Sequence, residues 1–95
     1  MTETKTGQLT VFGATILELM ARRGIRQWKA LSVLLEEAGH HYTPQRISNW
    51  AYGRHAVDRS FGRAFNEVMN LTEDERHQLA DAFVFGQEVP VGEVG

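Results

Sequence analysis

Hydrophobic residues recur along most of the chain at the three- and four-residue spacing that marks one face of an α-helix. In the first such segment, from Val11 to about Arg23, the apolar positions are Phe12, Ile16, Leu19 and Met20. Gly24 follows this segment directly, and glycine commonly ends a helix. No segment of the sequence shows the strict alternation of apolar and polar residues that is typical of a half-buried strand. The pattern therefore predicts an all-α fold.

Four further segments carry the same helical spacing. They run from about Gln27 to Ala38, from Thr43 to Tyr52, from about Arg59 to Met69 and from Thr72 to about Gly86. Their apolar positions are Trp28, Leu31, Leu34, Leu35 and Ala38 in the first, Ile47, Trp50 and Ala51 in the second, Phe61, Ala64, Phe65 and Val68 in the third, and Leu79, Ala82 and Phe83 in the fourth. We therefore expect a compact domain of five helices.

Helix-starting and helix-ending residues flank the last two segments. Asp58 is placed to accept hydrogen bonds from the first-turn N–H groups of the fourth helix, and Asn70 is placed to end that helix. Thr72 and Glu75 form the T-x-x-E pattern of a capping box, in which each side chain accepts from the backbone N–H of the other residue. We therefore expect two separate helices joined by a very short connection.

The third helix has the clearest boundaries and two chemically different faces. Thr43 can cap its first turn, Pro44 suits the first helical position, and Gly53 suits the left-handed position after the last turn. The polar face carries Gln45, Arg46, Ser48, Asn49 and Tyr52, and we expect Arg46 and Asn49 to project away from Ile47 and Trp50. Arg, Gln and Asn form bidentate hydrogen bonds with base edges in the major groove of DNA. The pattern is compatible with a DNA-reading helix and with an ordinary amphipathic surface helix.

Length and composition are typical of one small globular domain. The chain has 95 residues, of which 42% are hydrophobic and 23% charged, and it has no cysteine. We expect a helical domain over residues 10–86, between a flexible N-terminus at 1–9 and a flexible tail at 87–95. The sequence shows neither an apolar run of bilayer length nor a signal-peptide pattern, so we expect a cytoplasmic protein that does not contact a membrane.

Charge is unevenly distributed along the chain. The formal net charge is −2, which by itself disfavours nucleic acid as a partner. However, the segment from Arg22 to Arg63 carries eight basic and three acidic residues, whereas the remainder carries two basic and nine acidic residues. A basic middle segment with a net charge of +5 is the distribution expected of a DNA-contacting core.

The run TPQRIS-x-W-x-x-GR at residues 43–54 resembles the recognition helix of the phage-repressor-like helix-turn-helix family, the Cro/XRE family. The resemblance extends over roughly Phe12 to Phe85 and is strongest over the third helix. The chain departs from the family pattern in two places. The distance from Leu31 to Ile47 is about five residues longer than in the family, which lengthens helix two or the turn. Ala51 stands where the family often has Glu.

The resemblance implies a set of DNA-contacting residues. It places Pro44, Gln45 and Asn49 at base-facing positions, with Arg46 and Ser48 beside them. It places Tyr52 and Arg54 against phosphates, and Gln27 matches a backbone-contacting glutamine of the family. The remaining predicted backbone contacts, from the same basic segment, are Arg26, Lys29, Thr43 and His55.

Motifs of other function classes are missing from the sequence. Ser32, Ser48 and Ser60 lack the His and Asp partners of a nucleophilic site, and the chain has no glycine-rich phosphate loop and no paired-carboxylate motif. The four histidines do not have the spacing of zinc ligands. We therefore expect no enzymatic activity, no metal and no cofactor.

These features predict a bacterial or phage transcriptional regulator, such as a repressor, that binds double-stranded DNA in the nucleoid. We expect a homodimer, with Leu79, Phe83 and Val84 as candidate contacts, because one short helix reads only a few base pairs. A second interpretation is a protein-interaction module on the same fold, such as an antitoxin or adaptor. In that case the acidic segment from Ala64 to Gly95 could bind a basic partner.

Overall fold

The computed structural model describes residues 8–87 and residue 89, and these residues form five α-helices. The helices are α1 (Val11–Ala21), α2 (Trp28–Glu37), α3 (Pro44–Ala51), α4 (Arg59–Met69) and α5 (Glu73–Phe85). Among the described residues, the only β-type pairing is an isolated bridge at Thr10. The predicted all-α fold is therefore confirmed. The predicted flexible ends fall mostly outside the described residues.

Several helix boundaries differ from the predicted ones by one or two residues. α1 ends at Ala21 rather than at Arg23, because the chain turns there and Gly24 takes a left-handed conformation with φ +78°. α2 begins at Trp28, and Gln27 is its N-cap residue with an extended backbone. Asn70 ends α4 with φ 52°, as the sequence predicts. The periodicity thus located each helix, and the caps determined its ends.

An aromatic cluster joins α3 and α4 at the centre of the core. The ring of Phe61 on α4 lies 5.0 Å from Trp50, 5.5 Å from Tyr42, 5.7 Å from Phe65 and 6.5 Å from Phe12, measured between ring centroids. All five side chains are buried. Pairs of this geometry add about 0.5–1.5 kcal/mol each beyond the burial of their surface. The cluster therefore fixes α3 against the rest of the domain.

A buried carboxylate joins α1 to α5. The side chain of Glu75 accepts hydrogen bonds from Arg23 at 2.7 and 3.2 Å and from Arg22 at 3.0 Å. It also accepts from the backbone N–H of Thr72, which completes the predicted capping box. The hydrogen bonds from Arg23, then from the Thr72 backbone and from Arg22, lower the pKa of Glu75 to about 2. Glu75 is thus both a helix cap and a link between two helices.

The predicted cap of α4 is wrong. Asp58 stands at the N-cap position with an extended backbone, but its side chain makes no capping hydrogen bond. Its carboxylate accepts instead from the guanidinium of Arg46 at 2.8 Å. A charged partner competes well for a carboxylate, because hydrogen bonds between two charged groups are roughly twice as strong as neutral ones.

Candidate nucleic-acid interface

Capping groups define α3 at both ends. The hydroxyl of Thr43 accepts from the backbone N–H of Arg46 at 3.1 Å, and Pro44 occupies the first turn. At the other end Gly53 has φ +73°, and the N–H of Arg54 donates to the carbonyl of Asn49 at 2.8 Å. This is a Schellman ending, which requires a residue that tolerates positive φ. The predicted start and stop of the helix are confirmed.

The inner face of α3 is buried and the opposite face is open. Ile47, Trp50 and Ala51 are 1–3% exposed, as their spacing predicts. Gln45 and Arg46 are exposed, and Ser48, Asn49 and Tyr52 are half-exposed. The helix thus presents polar side chains to solvent from a packed support.

Hydrogen bonds join the C-terminal end of α3 to the residue that caps α1. The carbonyl of Ala51 accepts from both the backbone N–H and the hydroxyl of Thr10, at 3.0 and 2.9 Å. Gly13 permits this close approach, because a Cβ there would lie only 2.3 Å from the Ala51 oxygen. The contact satisfies one of the carbonyls that a helix end leaves without a partner. No local sequence pattern indicates this link, since its residues are about forty positions apart.

Tyr42 positions the connection between α2 and α3. Its carbonyl accepts from the hydroxyl of Ser32 at 2.6 Å, and its own hydroxyl shares a 2.6 Å hydrogen bond with Ser60 on α4. The side chain is only 9% exposed. Tyr42 thus attaches the connection between α2 and α3 to α2 and to α4. A bulky aromatic residue next to a helix start is the sequence signal for such an anchor.

Three predicted DNA-contacting side chains form one cluster on the open face. The amide oxygen of Asn49 accepts from the amide of Gln45 and from the guanidinium of Arg54, both at 3.2 Å. The same guanidinium stacks on the ring of Tyr52, 5.2 Å from its centroid. Gln45 and Asn49 of α3 and Arg54 beyond its end thus form one polar surface.

Arg46 does not lie where the sequence suggests. Its guanidinium stacks over the rings of Trp50 and Tyr42, 5.3 and 5.6 Å from their centroids, while it donates to Asp58. The expectation that Arg46 projects away from Trp50 is therefore wrong. The reason is that residues four apart are neighbours on a helix surface, and a guanidinium stacks favourably over an aromatic ring. Arg46 lies on the flank of α3 next to α4.

Five of the predicted backbone contacts form two groups along the sequence. Arg26 and Gln27 precede α2 and Lys29 lies in its first turn, whereas Arg54 and His55 lie between α3 and α4. All five are exposed. The hydroxyl of Thr43 caps α3, and Pro44 is exposed in the first turn of the same helix.

Neither a metal cluster nor a membrane span is found among the described residues. Comparison of the chain with protein-family models, with curated proteins and with solved structures finds no match.

Proposed function

We propose that the protein is a sequence-specific regulator of transcription that binds double-stranded DNA and reads its major groove with α3. One observation carries the proposal. A short helix with both ends capped buries Ile47, Trp50 and Ala51, and it presents side chains suited to pairing with bases on its other face. The resemblance of residues 43–54 to the Cro/XRE recognition helix supports the same assignment.

The distribution of basic residues supports a DNA site at α3. Arg26 and Lys29 flank the start of α2, and Arg54 and His55 follow α3, so basic groups stand on both sides of the reading helix along the chain. Contacts of this type hold the phosphates and set the register of the helix in the groove. The formal net charge of −2 does not oppose this, because the basic residues are concentrated between Arg22 and Arg63.

Arg46 must exchange partners when DNA binds. In the free protein its guanidinium is paired with Asp58, and both side chains are about half exposed. A pair of this exposure contributes only about 0–1 kcal/mol. A bidentate arginine–guanine contact supplies about 1–3 kcal/mol of discrimination between bases. The exchange is therefore favourable at a site that offers a guanine, and unfavourable elsewhere.

A homodimer forms part of the proposal, because two copies of α3 would read two half-sites about one DNA turn apart. Of the three predicted dimer contacts, Leu79 is buried and Phe83 packs against Phe12, at 5.6 Å between ring centroids. Val84, the third predicted contact, is 70% exposed and stays a candidate, and Phe85, 72% exposed, is added to it. Light scattering on the protein with and without DNA measures the stoichiometry, and a strict one-to-one complex would exclude the dimer.

Selection of bound sites from random duplex DNA tests the proposal. We expect a recurring site that binds at least about a thousandfold more tightly than random duplex at the same salt concentration. The second interpretation, a protein-interaction module, predicts no enriched sequence and only weak, salt-sensitive binding. Failure to enrich any sequence with folded protein would reject the proposed function.

A further inference from the structure

An open groove of about 690 Å³ lies between α4 and α5. None of the proposed DNA-contacting residues lines it. Its floor is apolar, since Val57 and Leu79 are buried and the ring of Phe83 lies against Gly62. Gln87 links the segment before α4 to α5. Its side-chain amide accepts a hydrogen bond from the N–H of Val57 and donates one to the carbonyl of Phe83. The groove is therefore a formed feature of the fold.

The walls of the groove carry only positive charge. Arg59 and Arg63 line it from α4 and Arg76 lines it from α5, whereas the lining includes no Asp or Glu. None of these three arginines is in an ion pair with any residue that the structure describes. The acidic segment from Ala64 to Gly95 predicts a basic partner, but the groove that its helix α5 forms with α4 has the opposite charge.

We propose that this groove binds an acidic amphipathic helix of a partner protein. Such a helix would place apolar side chains at three- and four-residue spacing on the floor, as helices do in other apolar grooves. Its carboxylates would lie along both rims and pair with the arginines. The groove volume is within the range of formed binding sites and accommodates a few side chains.

Two other occupants fit these features less well. A phosphate backbone would use the arginines but not the apolar floor of Val57, Leu79 and Phe83. Among the described residues, a second copy of the chain exposes large apolar side chains only at Val33 on α2 and at Val84 and Phe85 in the last turn of α5, and these do not form a stripe along the groove. An acidic helix with a continuous apolar stripe satisfies both the floor and the rims.

The test is selection of peptides from a displayed library of helical sequences with the full-length protein as bait. A matched pair of variants controls it, since Ala80 lines the groove and Ala30 lies outside it on α2, and both are exposed. Ala80→Glu puts a carboxylate beside the arginines and fills the groove, whereas Ala30→Glu makes the same change of charge elsewhere. The synthetic consensus peptide is then measured by fluorescence anisotropy.

We expect enriched peptides to be acidic with helical apolar spacing, and Ala80→Glu to weaken the consensus peptide at least about tenfold relative to wild type and Ala30→Glu. The proposal is overturned if no peptide is enriched, if enriched peptides are basic, or if both variants bind alike. Self-association that Ala80→Glu abolishes would identify a second copy as the occupant and would also overturn it. The inference does not depend on DNA binding, which is assayed separately for both variants.

Discussion

Two arginine–carboxylate clusters in this domain use the same chemistry for different purposes. Glu75 is 10% exposed at its side chain and binds two arginines and a backbone N–H, which joins α1 to α5. Asp58 is 49% exposed and accepts one hydrogen bond from Arg46, beside the open face of α3. The carboxylate with several partners joins two helices, and the exposed pair is the one that we propose to exchange partners on DNA binding. Burial and the number of partners separate the two roles, whereas residue type does not.

The largest expected effect comes from the Glu75 cluster. Glu75→Gln replaces a carboxylate that accepts from Arg22, Arg23 and Thr72 with a neutral amide that accepts less well. We expect the melting temperature to fall more than for any other variant below, while the preference for a cognate site is kept at temperatures where the protein is folded. Glu73→Gln, an exposed acid in the same turn, is the matched control and should melt like wild type.

Acid pH should act through the same carboxylate. The pKa of Glu75 is lowered from 4.5 to about 2 by folding, so the folded state binds the proton less readily than the unfolded state. The stabilisation is therefore complete above about pH 4.5 and is lost as the pH falls towards 2. Melting curves across this range should show a steeper loss for wild type than for Glu75→Gln. Equal slopes would show that Glu75 does not couple folding to pH.

The next largest effects concern the outer face of α3. Arg46→Ala and Asn49→Ala should each cost about 1–3 kcal/mol at the cognate site and relax preference at one or two base positions. Arg46→Ala also removes stacking on Trp50, so its melting temperature should fall slightly, by a contribution of about 0.5–1 kcal/mol. Binding to cognate and scrambled duplex is measured with melting curves as control. An unchanged cognate-to-scrambled ratio in both folded variants would reject α3 as the reader.

Arg54→Ala should weaken binding without changing its specificity. The guanidinium stacks on Tyr52 beyond the end of α3, at the position assigned to a phosphate contact. We expect cognate and scrambled duplex to lose affinity alike, and the slope of log affinity against log salt to fall by about one unit. A salt titration of both duplexes measures this. A selective loss at the cognate site would instead assign Arg54 to base reading.

The smallest effect, and the one with opposite sign, is expected for Asp58→Asn. The change releases Arg46 from its ion pair and removes a negative charge near the DNA. We expect cognate affinity to rise by about 0–1 kcal/mol, with little change in stability because Asp58 does not cap α4. Asp74→Asn, an exposed acid on α5, controls for net charge. Weaker binding by Asp58→Asn would show that Asp58 holds Arg46 in its active position.

The sequence predicts the local structure of this domain well and its long-range contacts poorly. Helical spacing and caps at Thr43, Gly53 and Thr72 predict the elements, because these signals act within a few residues. The orientation of Arg46 depends on an aspartate twelve residues away, and the Ala51 carbonyl binds Thr10 across forty-one positions. The sequence does not indicate the basic groove, because Arg59 and Arg63 belong to the basic middle segment whereas Arg76 belongs to the acidic one, and only the packing of α4 against α5 brings them together.

Replacement of single purines in the selected site by 7-deaza analogues tests the central claim most directly. This change removes only the N7 acceptor, which faces the major groove. We predict that at least one such position weakens wild-type binding and has little further effect on Arg46→Ala or Asn49→Ala, since the lost partners are the same. If every 7-deaza position weakens wild type and both variants equally, or none weakens wild type, α3 does not read the major groove.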